Sequence, residues 1–115
     1  MTLTDFSTMT SENQHLNVTE QKFQELASAK NVIGVMVLNL DGAPIKTSLD
    51  QQNTNTYSEL AYNLIKQTRD LIQVADATND TKFMRLTTKR NEIMICPDVN
   101  YTLVVIQHIQ DEHNK

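Results

Sequence analysis

The alternation and spacing of apolar positions divide the chain into two helices and five strands. Val32–Leu38 is apolar at every position except Gly34, the pattern of a strand covered on both faces. Thr102–His108, with its run Leu103–Ile106, has the same character. Before the first of these, Thr19 to Lys30 reads as a short helix started by Asn17 or Thr19, with Phe23, Leu26 and Ala27 on one face. Asp41-Gly42 supplies the residues of a tight hairpin turn. The chain then returns as a strand over Ala43–Leu49. Pro44 cannot donate a ladder hydrogen bond and Lys46 is charged, so this strand belongs at a sheet edge.

A long helix comes next. Thr56 and Glu59 have the spacing of a capping box. Tyr57, Leu60, Ala61, Leu64, Ile65, Thr68, Leu71, Ile72 and Ala75 follow at helical intervals. They predict a helix of about 19–20 residues, some 30 Å long, whose apolar stripe spans about 140°. That stripe is wider than contact with one sheet requires. Beyond the turn cluster Thr78-Asn79-Asp80, three strands are expected at Thr81–Thr87, Glu92–Cys96 and Thr102–His108. Lys89-Arg90-Asn91 and Pro97–Asn100 are short enough to join them as antiparallel hairpins.

Burial sets the order of the sheet. The two strands that are apolar on both faces belong at the centre with helices covering each side, which gives 2-1-5-4-3. Pro44 and Lys46 blunt one outer edge. The other, Thr81–Thr87, has no Pro or Gly and carries Phe83, Met84 and Leu86. An open edge must be guarded or used. Lys82 and Arg85 give some guarding, as expected of a charged edge on a monomer. The alternative is pairing of this edge with that of a second copy across a two-fold axis, the long helices meeting beside it.

Length and composition narrow the functional classes. A chain of 115 residues makes one domain, here 17–109, flanked by polar tails at 1–16 and 110–115. One cysteine allows no internal disulfide, and no secretory signal pattern opens the sequence, so a reducing, cytosolic setting is expected. In that setting the sequons at Asn17, Asn79 and Asn100 carry no glycan. A net charge of −4 speaks against nucleic acid, and no apolar run approaches the ~20 residues of a membrane helix.

Catalytic chemistry is hard to find. Two glycines, Gly34 and Gly42, leave no phosphate-cradling loop. His15, His108 and His113 lack metal-ligand spacing with one another or with Cys96, which reads as a small buried hydrophobe. Asp76, Asp80 and Asp98 fall in turns, where capping is their ordinary role. No cofactor and no metal are expected. Lys82, Arg85, Lys89 and Arg90 form the one local charge excess, read as solvated hairpin residues or as a dock for an acidic partner segment. Tyr57, Tyr62 and Tyr101 serve equally as interface anchors or as the rim of the core.

Three segments carry a resemblance: Val32 through Ser48, Phe83-Met-Arg-Leu, and Lys89 through Gln107, the last containing Asn-Glu-Ile-Met-Ile-Cys-Pro-Asp. Together they resemble the roadblock family of dynein light chains over about residues 19–109. That resemblance implies a two-layer, profilin-like α/β fold with a five-stranded antiparallel sheet in the order 2-1-5-4-3, a short first helix and a long second one. It implies a homodimer, or a heterodimer with a paralogue, formed by the third strand and the second helix. Applied to this sequence, the interface comprises Thr81, Lys82, Phe83, Met84, Arg85, Leu86 and Thr87 with Tyr57, Leu60, Leu64, Thr68 and Leu71. By the same resemblance the chain is a non-catalytic light chain of cytoplasmic dynein, binding the dynein intermediate chain and helping to link cargo to microtubules. Related roadblock modules scaffold or regulate small GTPases, which is the rival expectation. Residues 1–18 form an extension that shorter family members lack.

Overall fold

A computed structural model describes residues 20–109. Within them the chain forms α1 (Glu20–Ser28), β1 (Val32–Leu38), β2 (Pro44–Thr47), α2 (Gln51–Ala75), β3 (Met84–Thr87), β4 (Asn91–Pro97) and β5 (Thr102–His108). All strand pairs are antiparallel and the order is β2-β1-β5-β4-β3, as burial required.

The doubly apolar strands explain the architecture. Alternate residues of β1 face opposite ways, and each face receives its own helix. Phe23 and Leu26 of α1 pack with Val35, Val37, Met94, Cys96, Leu103 and Val105. Ala61 and Ile65 of α2 pack with Met36, Leu38, Ile93, Ile95, Val104 and Ile106 on the other face. The sheet and its long helix form the two-layer α/β unit, and α1 closes the remaining side. Cys96 is buried within the α1-side core, in line with its reading as a small hydrophobe.

Local chemistry sets the ends of the elements. After α1, Asn31 adopts a left-handed conformation (φ 72°), and its carbonyl accepts from His108 N–H at 2.8 Å. This turns the chain into β1 beside β5. The candidate starter residues Asn17 and Thr19 lie outside the described residues. In the β1–β2 turn, Asn39 Oδ1 accepts from the amides of Asp41 and Ala43, both at 2.9 Å. Gly42 takes the positive φ there (88°), and a Cβ at that position would fall 2.7 Å from the Tyr62 ring. Lys46 on β2 pairs with Glu20 and lies over the Phe23 ring, tying the sheet edge to α1.

Several expected boundaries change; α1 stops at Ser28 rather than Lys30, and β4 gains Asn91 and Pro97. The long helix begins at Gln51 rather than near Thr56, because Asp50 is its N-cap and accepts from Asn53 N–H at 2.8 Å. Thr56 instead donates to the Gln52 carbonyl within the helix. The second strand is shorter than Ala43–Leu49, occupying Pro44–Thr47. The third strand starts at Met84, not Thr81. Met84 is opposite Ile95, so one further step in the same alternation would set Lys82 against Pro97, which has no N–H to give.

Candidate interaction surface

The far edge of the sheet is β3, and among the described residues no segment pairs with its outer side. Thr88 N–H donates to the Asn91 carbonyl at 2.8 Å in the β3–β4 turn. Antiparallel alternation then points the amides of Leu86 and Met84 at β4, and those of Arg85 and Thr87 outward. Among the described residues, the backbone of β3 therefore presents two N–H and two C=O groups without strand partners.

Side chains on this edge divide by face. Met84 packs against the α2-side core. Leu86, next on that face, remains 37% exposed. On the α1 side, Arg85 Nη2 donates to Glu92 Oε2 at 2.5 Å. The same carboxylate accepts from Thr87 Oγ1 at 3.3 Å and from Gln107 Nε2 at 3.2 Å. Burial raises the pKa of Glu92, but hydrogen bonds from Arg85, Gln107 and Thr87 and the positive charge of Arg85 outweigh it, leaving a net lowering. Arg85 is thus half of an internal ion pair and does not join Lys82, Lys89 and Arg90 as a free cation for an acidic partner. The signal missed in the sequence was Glu92, whose role appears only once β3 and β4 are in register.

The remaining predicted edge residues lie before β3. Phe83 packs on the α1-side core, and Lys82 is exposed. Thr81 is buried, its hydroxyl without a hydrogen-bond partner among the described residues. Its backbone N–H donates to Asp80 Oδ1 at 2.7 Å, and Asp80 in turn accepts from Arg69 Nε of α2 at 2.6 Å. The segment linking α2 to β3 is held against the helix by these bonds and by the Gln73 amide on the Asn79 carbonyl.

The helix supplies the second half of the surface. Thr54, Ser58, Ala61 and Ile65 face the sheet. Tyr57, Leu60, Leu64 and Leu71 lie about a quarter turn away at 100° per residue. The first three, like Met84 of β3, are partly buried against the α2-side core. Thr68 is half-buried at the border between the two faces. A helix of 25 residues is about 38 Å long, while a strand of seven residues spans about 24 Å, so α2 overruns the sheet. Leu71 and Val74 on the overhang are 73% and 85% exposed. Val74, three residues past Leu71 at the expected spacing, was missing from the predicted stripe.

The opposite flank of α2 borders a cleft of about 180 Å³ against the tips of the β1–β2 and β4–β5 hairpins, lined by Leu40, Tyr62, Lys66, Arg69, Asp70 and Asp98 among others. That is below the roughly 300–1,000 Å³ of most small-molecule sites. Among the described residues, no group of three His, Cys, Asp or Glu is placed to hold a metal, and no helix is long and apolar enough to cross a membrane.

Similar folds occur in known proteins. A Roadblock/LC7 domain from Streptomyces avermitilis superposes with a TM-score of 0.66 at 13% identity, over 76% of this chain and 74% of the other. MglB from Myxococcus xanthus gives 0.59 at 18% identity, over 76% and 70%. These likenesses concern the fold. The family model of the Roadblock/LC7 domain matches residues 18–108, which takes in all seven elements of the described residues. The chain belongs to the Roadblock/LC7 domain family.

Proposed function

We propose that this chain is a non-catalytic adaptor that works as a dimer. Two copies join β3 to β3, making one ten-stranded sheet with both α2 helices side by side on one face, and partner proteins dock on that slab. One observation carries the reading: among the described residues the outer backbone edge of β3 has no partner, while α2, which shares a core face with Met84 of β3, leaves Leu71 and Val74 exposed. Duplicated sites on such a slab let weak single contacts add to firm attachment.

Two classes of partner follow from the resemblance. A scaffold or regulator of a small GTPase is supported by the spread of the fold among bacterial proteins, which separates it from any one cytoskeletal motor. The Asn-Glu-Ile-Met-Ile-Cys-Pro segment, which most resembles dynein light chains, is β4, and five of its seven residues are buried. It therefore supports the fold and cannot itself read a partner.

A light chain of cytoplasmic dynein, associated with microtubules and bound to the intermediate chain, is the second reading, and a different part of the resemblance favours it. Gly42-Ala-Pro-Ile-Lys lies on the surface, with Ile45 61% exposed, where core packing does not dictate residue choice. Affinity purification with identification of bound peptides separates the two. Recovery of a small GTPase supports the scaffold, and recovery of dynein intermediate chain supports the light chain. A monomer in sedimentation removes the common basis of both.

A further inference from the structure

We propose that Leu86 lies on the two-fold axis of the dimer, with Arg85 of each protomer opposite Thr87 of its partner. The inference rests on the dimer reading above and goes further by specifying the register of the junction. Three observations lead to it.

Parity restricts the choices. A two-fold axis perpendicular to the sheet keeps both α2 helices on one face and makes the two β3 strands antiparallel. Directly opposed residues in such a pair point to the same face. Leu86 faces α2 and Arg85 faces away, so they cannot oppose each other. The midpoint of Met84–Thr87 falls between Arg85 and Leu86. The registers that pair the most of β3 therefore set one of these two against its own copy, while Met84 or Thr87 on the axis would leave most of the strand unpaired.

Hydrogen bonding distinguishes them. The outward amides and carbonyls belong to Arg85 and Thr87. With Leu86 on the axis, Arg85 opposes the partner's Thr87, and each such pair exchanges both backbone bonds. All four bonds then form within β3 as it stands. With Arg85 on the axis, Thr87 would oppose the partner's Phe83, which lies outside the strand.

Charge gives the same answer. Two Arg85 side chains directly opposed would repel. In the Leu86 register each Arg85 instead meets a Thr87 and keeps its own Glu92, so the α1-side seam carries two balanced ion pairs. On the other face the two half-exposed Leu86 side chains cover one another beneath the helices. The ladder ends at Met84 opposite Thr88, because Thr88 already turns to Asn91.

Cysteine scanning tests this on the full chain. In a Cys96→Ala background, Leu86→Cys, Arg85→Cys and Met84→Cys are each oxidised and resolved on a non-reducing gel, with sedimentation reporting association of each variant before oxidation. A non-hydrogen-bonded antiparallel pair has Cα atoms about 4.5 Å apart, within disulfide range. Leu86→Cys should form the intermolecular disulfide at least about tenfold faster than the other two. A dimer in which Arg85→Cys or Met84→Cys links fastest overturns the register and leaves the dimer standing. A monomer before oxidation overturns both. If Cys96→Ala unfolds the protein, the unmodified chain decides: isotope-filtered NMR on a mixed-label sample should show Leu86 methyl contacts between protomers, and Arg85–Arg85 contacts in their place refute the register.

Discussion

Leu71→Asp isolates the association of two copies from the folding of one. Leu71 is 73% exposed on the overhang of α2, so its replacement removes little from the protomer's own core. Full burial of a leucine side chain is worth about 1.5–3 kcal/mol. Covering the exposed part accounts for about 1–2 kcal/mol per copy, and two copies give about 2–4 kcal/mol per dimer. At 1.4 kcal/mol per tenfold, the dimer dissociation constant should rise about 30- to 700-fold, with the added burden of an unpaired carboxylate in the seam. Sedimentation equilibrium over a wide concentration range reads this directly, and Leu71→Ala should fall between the wild type and Asp. Glu59→Gln, on the opposite flank of α2, serves as the control and should change nothing. A folded Leu71→Asp dimer with affinity within about threefold of wild type would remove the helix from the interface.

Phe83→Asp and Met84→Asp should both lose the dimer, but with broadened or early melting, because each side chain also packs against one of the two cores. Asp50→Ala removes the N-cap of α2 and should cost about 1 kcal/mol, lowering Tm by roughly 4–8 °C. Gly34→Ala brings a Cβ to 2.3 Å from Leu49 Cδ2, so circular dichroism should report earlier melting as that side chain is forced out of place. Glu92 has a folded-state pKa below its ordinary value of 4.5. Its contribution to stability is therefore complete above that value and is lost as pH falls through the lowered one. Glu92→Gln should flatten the acid limb of a denaturation series, and an unchanged limb would show that the Arg85 pairing is unimportant.

The strands that sequence patterning captured best are those buried on both faces. For β1 and β5 every position is constrained by packing, so their limits and the sheet order were legible. The start of α2 was not. Thr54 and Ser58 are buried polar residues, and Thr54 shares a 2.8 Å hydroxyl contact with Thr47 of β2. A count of apolar positions does not register such a turn of helix, and the Thr56–Glu59 spacing drew the boundary inward. The edge strand ended early for a reason held in another element, the missing N–H of Pro97. That Tyr57, Leu60, Leu64 and Leu71 share one flank of α2 was readable from helical spacing. Glu92 was not, because its partners Arg85, Thr87 and Gln107 are brought to it only by strand register.

The central claim is that β3 joins a second β3, and amide exchange on that strand tests it most directly. Hydrogen exchange of Arg85 and Thr87, the two amides turned away from β4, should be followed at concentrations above and below the point where sedimentation shows dissociation. The account predicts protection of both amides in the dimer and loss of that protection on dilution, while Leu86, bonded to Ile93 on β4, stays protected throughout. Exchange at Arg85 and Thr87 that is fast and independent of concentration, in a chain that still associates, would contradict it.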